Sequence, residues 1–421
     1  MLDPLPIVPF TRPARGAVML PGSKSITNRA LVLAALSDRT VTLRHALFSR
    51  DTRLMVGALR ALGFVVETDE PSCIVRIAGR GGDIPAGEAR LDVGNAGTVA
   101  RFLTAFVCLR PGGVYSFTGD EAMGRRPIGP LLDALAAQGA HASARSFPFT
   151  LRTAGLSGGE VELDASESSQ LLSALLMVAP HARTPLRVGL KGRTVSRPFV
   201  EMTERMLAQF AAKPAEYTVE VDATAASYFL ALPLVVGGDV SVAGLRTLDS
   251  LQGDIEFVNV LRNAGLAVNE AGRGEEAWIA TGAPRRGVTA DFNAFSDTFL
   301  TLAAIAPLLD GPTRITGIGH TRRQETDRVA GAARELRRLG QEVIEEEDAL
   351  MIVPRPLVSD VEIETYGDHR FAMSFAILGC HDLHGNGRPW LWIRHPGCCA
   401  KTFPDFFDIL ELIWKNSHLG L

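Results

Sequence analysis

Short polar segments that each run into an apolar stretch recur along this chain, and several of them could hold anions. The first is Pro21-Gly22-Ser23-Lys24-Ser25-Ile26-Thr27-Asn28-Arg29, followed by a helical run from Ala30 to Leu36. A Gly-Ser pair opening a helix leaves backbone N–H groups free and adds the positive end of the helix dipole. Lys24 and Arg29 add full charges and several donors. The segment is not a P-loop: five residues separate Gly16 from Gly22 where that motif needs four, and Lys24 follows a serine rather than a glycine.

Asp92-Val93-Gly94-Asn95-Ala96-Gly97-Thr98-Val99-Ala100-Arg101 repeats this logic ahead of a helix expected at Phe102 to Leu109. Its small residues Ala96 and Gly97 would let a compact ligand touch the main chain. Arg125-Arg126-Pro127 places a cation pair before the helical run Ile128 to Ala137. Ser166-Glu167-Ser168-Ser169-Gln170 heads the run Leu171 to Val178 with hydroxyl and amide groups suited to phosphate and sugar-like hydroxyls. Taken singly, each of these is also what a capped helix with solvated charges looks like.

Two segments bring carboxylates. Asp291-Phe292-Asn293-Ala294-Phe295-Ser296-Asp297 precedes the apolar run Thr298 to Leu309, and Arg322-Arg323-Gln324-Glu325-Thr326-Asp327-Arg328 precedes Val329 to Leu339. Carboxylates among cations usually form structural ion pairs, with proton transfer the rarer use. Tyr366-Gly367-Asp368-His369-Arg370 and Ala400-Lys401-Thr402-Phe403-Pro404-Asp405 each read as a further cation at a helix start. Gly155-Leu156-Ser157-Gly158-Gly159 fits the nucleophile elbow of hydrolases, but the alternating Glu160-Val161-Glu162-Leu163 after it reads as a strand, so it is a glycine-rich turn.

The elements that would carry these segments repeat. Val41 to Leu43 reads as a strand, Thr52 to Leu62 as a helix, and Phe64 to Glu67 and Cys73 to Ile77 as two more strands. The order returns at Val240–Val242, Ile255–Asn263, Leu266–Val268 and Ala277–Ala280, and again at Thr313–Ile315, Asp327–Leu339, Glu342–Ile344 and Leu350–Val353. Each copy ends its helix at a glycine: Leu62-Gly63, Ala264-Gly265 and Leu339-Gly340. A strand–helix–strand–strand unit repeated in this way predicts an α/β protein built by duplication. The polar stretch Lys213-Pro214-Ala215-Glu216 is a natural place for the chain to change domain.

With 421 residues the chain exceeds one ordinary core, so two domains are expected. Its net charge of −4 is not the basic field that nucleic acid requires, so a bound anion needs a local cluster of cations. No stretch suits a membrane helix, and Met1 to Phe10 does not read as a signal or transit peptide. Cys73, Cys108, Cys380, Cys398 and Cys399 are odd in number and lack C-x-x-C spacing, which argues against disulfides and zinc and fits a reducing cytoplasm.

In this order, the segments resemble those of the 5-enolpyruvylshikimate-3-phosphate synthase family from Pro21 to Phe407. The landmarks are PGSKSITNRALVLAALS from Pro21, GNAGT from Gly94, SSQLLSALLM from Ser168, ASYFLA from Ala226, QGDIEF from Gln252, ETDR from Glu325, GDHRFAM from Gly367 and AKTFPD from Ala400. The resemblance implies an α/β fold of two similar lobes, each of three repeated sub-units in an inside-out barrel, with the active site in the interlobe cleft. Residues 1–20 plus 221–421 would form one lobe and residues 21–220 the other.

It also implies the reaction: enolpyruvyl transfer from phosphoenolpyruvate to the 5-hydroxyl of shikimate 3-phosphate, in the pathway to aromatic amino acids. By the resemblance, Lys24, Ser25, Arg29, Ser168, Ser169, Gln170, Ser196, Asp297 and Gln324 would contact shikimate 3-phosphate. Lys24, Asn95, Gly97, Arg101, Arg126, Gln170, Arg328, Arg370 and Lys401 would contact phosphoenolpyruvate. Lys24, Asp297 and Glu325 would be catalytic, Glu325 at the methylene carbon and Asp297 as base for the hydroxyl. Two phosphates and two carboxylates need several cations, which Lys24, Arg29, Arg101, Arg126, Arg328, Arg370 and Lys401 supply. No metal or cofactor is implied, and a cytoplasmic monomer acting on these two small molecules, without nucleic acid or membrane, is expected.

The chain departs from the family pattern at three places. Gln324 stands where a lysine commonly precedes the glutamate, His320 stands where asparagine is frequent, and Ala100-Arg101-Phe102 replaces methionine–arginine–proline. The first two bear on shikimate 3-phosphate affinity, and the third on the phosphoenolpyruvate pocket and its competitive inhibitor glyphosate. The sister enzyme acting on UDP-N-acetylglucosamine uses a loop cysteine, and Arg110 to Arg125 contains none. A non-catalytic phosphometabolite binder would not need Lys24, Asp297 and Glu325 together.

Overall fold

Four glycines stop four outer helices in the same way. Gly63, Gly139, Gly265 and Gly340 have φ of 88°, 93°, 111° and 85°, the left-handed conformation that glycine alone adopts freely. Each N–H donates to the carbonyl three residues back: Arg60, Ala136, Arg262 and Arg337. These mark four copies of the strand–helix–strand–strand unit in the computed structural model, which describes residues 1–192, 195–246, 248–269, 277–281 and 285–419.

Three copies are those expected from the sequence; the fourth consists of Pro111–Thr118, Gly129–Ala136, His141–Ala142 and Phe149–Ala154. Each forms a four-stranded sheet of one pattern, in which the first strand lies between a parallel neighbour and the antiparallel last strand. In the first sheet Thr40–Arg44 runs parallel to Glu216–Thr218 and antiparallel to Ile74–Ala78. Its register pairs Val41 with Ile77 and Leu43 with Val75, so the buried side chains of both strands share one face. Two shorter sheets complete the set: Gly159–Asp164 parallel to Leu186–Lys191, and Val361–Ile363 parallel to Leu391–Ile393.

The chain divides into two compact units, residues Met1–Pro21 with Val221–Leu421, and Gly22–Glu220. In the first, Ala14–Val18 pairs in parallel with Gly238–Val242, which follows the helix Ala223–Val236. The second unit is therefore an insertion into one strand-to-helix connection of the first.

Among the described residues each unit has three inner helices. They are Lys24–Leu36, Gly97–Phe106 and Ser169–Val178 in the inserted unit, and Ala223–Val236, Phe299–Ile305 and His369–Gly379 in the other. They are buried almost all round, which explains why most of their sequences are apolar; Gly97–Phe106 is the exception in carrying a polar row, Thr98, Arg101 and Thr104. The outer helices Arg50–Ala61 and Arg328–Arg338 instead bury one side, with Met55, Ala58 and Leu59 on the former and Val329, Ala332, Ala333 and Leu336 on the latter. Polar residues on the inner helices are concentrated where each helix starts, next to the carboxyl end of a parallel strand. There the helix dipole favours anions.

Candidate active site

In the inserted unit the three helix starts adjoin one another. Asn28 Nδ2 donates to Thr98 Oγ1 at 2.8 Å, joining the first inner helix to the second. A methyl group at Gly97 would fall 2.6 Å from Arg126 Nη2 and 2.8 Å from Gln170 Oε1, so only glycine lets these two side chains converge there. Arg126 is held by the backbone oxygen and Oδ1 of Asn95, at 3.0 and 3.1 Å. Ser168 caps the third helix by accepting from the Gln170 N–H at 3.3 Å, and Ser169 is its first residue. Gln170 Oε1 is buried without a hydrogen bond among the described residues. Lys24 and Ser25 open the first helix, and Lys24 Nζ lies 3.7 Å from Asp51 Oδ2.

Two arginines of this unit turn their guanidinium groups toward protein oxygens. Arg101 lies inside the second inner helix, which begins at Gly97 rather than Phe102. Its guanidinium donates to Pro127 O from both Nε and Nη2, at 3.1 and 2.5 Å, and to Gly97 O at 3.4 Å. It thus braces the turn that carries Arg126. Arg29 is wholly buried, donating to Thr203 Oγ1 at 2.7 Å, Ser25 O at 3.0 Å, Phe199 O at 3.1 Å and Ser173 Oγ at 3.2 Å. The Phe102 ring centroid lies 5.1 Å from its guanidinium carbon. Among the described residues no carboxylate pairs with it, and burial pulls its pKa down to about 9. Ser196, at φ 50°, precedes the helix Pro198–Ala211 that supplies Phe199.

The other unit holds a compact charge network around one buried arginine. Arg328 Nε donates to Asp368 Oδ2 at 2.7 Å, Nη1 to Asp297 Oδ1 at 3.0 Å and Nη2 to Glu325 Oε2 at 2.9 Å. Gln324 Oε1 also accepts from Arg328 Nη1. Asp297 Oδ2 accepts from Arg370 Nη2 at 2.5 Å, and Glu325 Oε1 lies 3.5 Å from Lys401 Nζ. Burial works against charge on Arg328 and Arg370, but the surrounding carboxylates, Asp368 foremost for Arg328 and Asp297 for Arg370, hold both above the ordinary range. Three cations thus face three carboxylates. Lys401 closes the 3-10 turn Pro396–Lys401 rather than opening a helix; the next helix begins at Phe406. His320 Nε2 is 2.9 Å from Ser296 Oγ, and burial lowers its pKa, favouring the neutral ring.

Several contributors were not singled out from the sequence. Asp368 caps the helix His369–Gly379 through the Arg370 N–H at 3.0 Å while anchoring Arg328. Tyr228 places its hydroxyl 3.4 Å from Arg370 Nη1. Asp254, in the quoted QGDIEF landmark, is buried, and burial together with the Asp297 charge pushes its pKa up to about 7. Asp51 is buried beside Lys24. A polar residue in an otherwise apolar context was the available signal for Tyr228, and its place in the polar segment before Arg370 was the signal for Asp368; Asp51 and Asp254 had none beyond their neighbours in sequence. The Gly155–Gly159 turn leads into the strand Gly159–Asp164 and is bonded by Gln138, with no hydrolase elbow.

A two-unit α/β protein whose helix starts gather cations and paired carboxylates has the fold of the enolpyruvyl transferases. The chain is similar in structure to EPSP synthase from Acinetobacter baumannii, with a TM-score of 0.76 at 24% identity over 97% of both chains. It is also similar to an enolpyruvyl transferase from Streptomyces tendae, with a TM-score of 0.70 at 16% identity over 96% of both. Residues 10–410 match the family model for EPSP synthase (3-phosphoshikimate 1-carboxyvinyltransferase). The 3-phosphoshikimate 1-carboxyvinyltransferase of Opitutus terrae is 53% identical over 99% of this chain and 98% of that protein, and that of Nostoc punctiforme is 40% identical over 96% and 98%. The chain belongs to the EPSP synthase family.

Proposed function

We propose that this chain transfers the enolpyruvyl group of phosphoenolpyruvate to the 5-hydroxyl of shikimate 3-phosphate by addition and elimination. Besides family membership, the observation that carries the reading is the Arg328 network, in which one buried guanidinium holds both Asp297 and Glu325. Binding alone does not call for two carboxylates gathered on one cation; proton delivery and proton removal at neighbouring atoms do.

In this reading Glu325 protonates the methylene carbon of phosphoenolpyruvate, and the 5-hydroxyl, deprotonated by Asp297, attacks the adjacent carbon. Phosphate then leaves from the tetrahedral adduct as Glu325 recovers the methyl proton, with Lys24 assisting at the bridging oxygen. Arg328, Arg370 and Lys401, with Asn95, Gly97, Arg126 and Gln170, are assigned to phosphoenolpyruvate. Its phosphate and carboxylate compete with Glu325 and Asp297 for their arginine and lysine donors, freeing the two carboxylates for proton transfer. Lys24, Ser25, Ser168, Ser169, Gln170, Ser196, Asp297 and Gln324 are assigned to shikimate 3-phosphate. Arg29, whose charge no carboxylate among the described residues neutralises, is also assigned to shikimate 3-phosphate, and Lys24 and Arg101, the latter fixing the Arg126 turn, to phosphoenolpyruvate.

Cys108 does not suit the cysteine chemistry of the sister enzyme, because it is buried and burial pushes its thiol well above the ordinary range. The test is phosphate release from phosphoenolpyruvate with shikimate 3-phosphate, beside UDP-N-acetylglucosamine. Release with the former supports the reading; release only with the latter, or with neither, overturns it. The same reading makes the protein a cytoplasmic monomer, which sedimentation equilibrium and cell fractionation test; no helix among the described residues is long and apolar enough to cross a membrane.

A further inference from the structure

We infer that Asp51 is a positioning residue for this transfer, holding the Lys24 ammonium in place at the head of the first inner helix. The inference rests on the reading that gives Lys24 a part in the chemistry. Among the described residues of Gly22–Glu220, Asp51 is the one fully buried carboxylate, in a unit whose helix starts otherwise gather cations. Burying a carboxylate is costly unless a cation meets it, and Lys24 is the cation it meets, 3.7 Å away with 3% of the Asp51 side chain exposed. An acid in the first turn of Arg50–Ala61 would favour that helix equally well if it pointed to solvent. Its burial therefore serves the partner.

The support for Asp51 is rigid. Ser49 and Thr52 form a capping box around it, with Ser49 N–H donating to Thr52 Oγ1 at 2.8 Å. The loop leading in is tied to the first inner helix by the Leu47 N–H, which donates to Thr27 Oγ1 at 3.1 Å, three residues beyond Lys24. Ala46 N–H donates to Cys73 O at 2.9 Å, joining the same loop to its sheet. Lysine has a flexible four-carbon stem, so a fixed opposite charge is what selects one ammonium position. At 3.7 Å the pair attracts without a hydrogen bond, which would need about 2.7–2.9 Å, so Asp51 restrains the ammonium without using one of its donors.

The experiment is a double-mutant cycle of Asp51→Asn and Lys24→Met, read on kcat and on shikimate 3-phosphate affinity by calorimetry, with melting temperature as the fold control. Asp51→Asn is expected to lower kcat about tenfold or more with native melting, to change affinity by a smaller factor, and to cost less than about twofold in either quantity when Lys24 is already Met. Asp51→Glu, which keeps the charge, is expected to recover part of the kcat. Wild-type kcat in Asp51→Asn, or an equal loss in both backgrounds, overturns the inference. If Asp51→Asn alone does not fold, stability decides: a folded double variant supports the pairing, and an unfolded one overturns it. Failure of the underlying reading shows separately, as absence of phosphate release by the unaltered enzyme.

Discussion

Asp297 is divided between two arginines, its Oδ1 accepting from Arg328 Nη1 at 3.0 Å and its Oδ2 from Arg370 Nη2 at 2.5 Å. A carboxylate so held has a fixed direction, with both oxygens engaged until an anion draws the arginines away. Asp297→Ala should therefore lower turnover by about 10²–10⁴-fold while shikimate 3-phosphate still binds within about tenfold of wild type. Phosphate-release kinetics and titration calorimetry measure the two quantities. Near-normal turnover would remove Asp297 from the mechanism.

Glu325 stands between Arg328 at 2.9 Å and Lys401 at 3.5 Å, so its two oxygens are shared in the same manner. Glu325→Gln keeps the shape and removes the transferable proton. Turnover should fall by about 10²-fold or more, and deuterium from heavy water should no longer enter the methylene group, while shikimate 3-phosphate affinity changes little. Undiminished deuterium entry would assign the methylene proton to another group.

Much of this arrangement was readable in the sequence, because the chemistry sits in short segments where a strand ends and an inner helix begins. Lys24, Asn95, Gly97, Ser168, Asp297 and Arg370 all fall at such junctions. The glycine stops made three of the repeats visible. The fourth was obscured by the extra helix Glu121–Gly124 and by the irregular pairing between Pro111 and Val114, which break the expected spacing. Asp51 and Asp254 could not be read in the same way, since each acquires its role from a partner distant in sequence. Arg29 and Arg101 were visible as cations, but sequence spacing cannot show that their donors turn inward to carbonyl and hydroxyl oxygens.

Phe102 fills a position where the family pattern has proline, and its ring lies against Arg29 in the helix that begins at Gly97. A buried aromatic ring in place of proline would be expected to seat that helix differently, and with it the meeting point of Gly97, Arg126 and Gln170. Discrimination between similar anions is a small difference of affinities, so a modest shift there matters. The inhibition constant for glyphosate should exceed that of a family enzyme carrying methionine–arginine–proline by about tenfold or more, titrated side by side at matched phosphoenolpyruvate saturation. Equal inhibition constants would show that Phe102 leaves the pocket unaltered.

Asp254 is a carboxyl whose folded pKa, about 7, lies well above the unfolded value because of burial first and the Asp297 charge second. Linkage then has a definite sign. Well below pH 4 both states are protonated and the group is neutral to stability; as pH rises from there toward 7 the unfolded chain ionises first, and stability is lost progressively. The loss is complete above the folded pKa. Asp254→Asn removes this penalty while keeping the size of the side chain. It should stabilise the protein by about 1–4 kcal/mol at pH 8 and by little at pH 4, an order-of-magnitude range set by about 1.4 kcal/mol per pKa unit. Thermal melting of both proteins across that pH range measures the difference. A gain that does not grow with pH, or a loss at every pH, would mean that Asp254 is ionised and paired in the folded state, and that the carboxylate beside Asp297 and Arg370 serves to hold charge rather than to hold a proton.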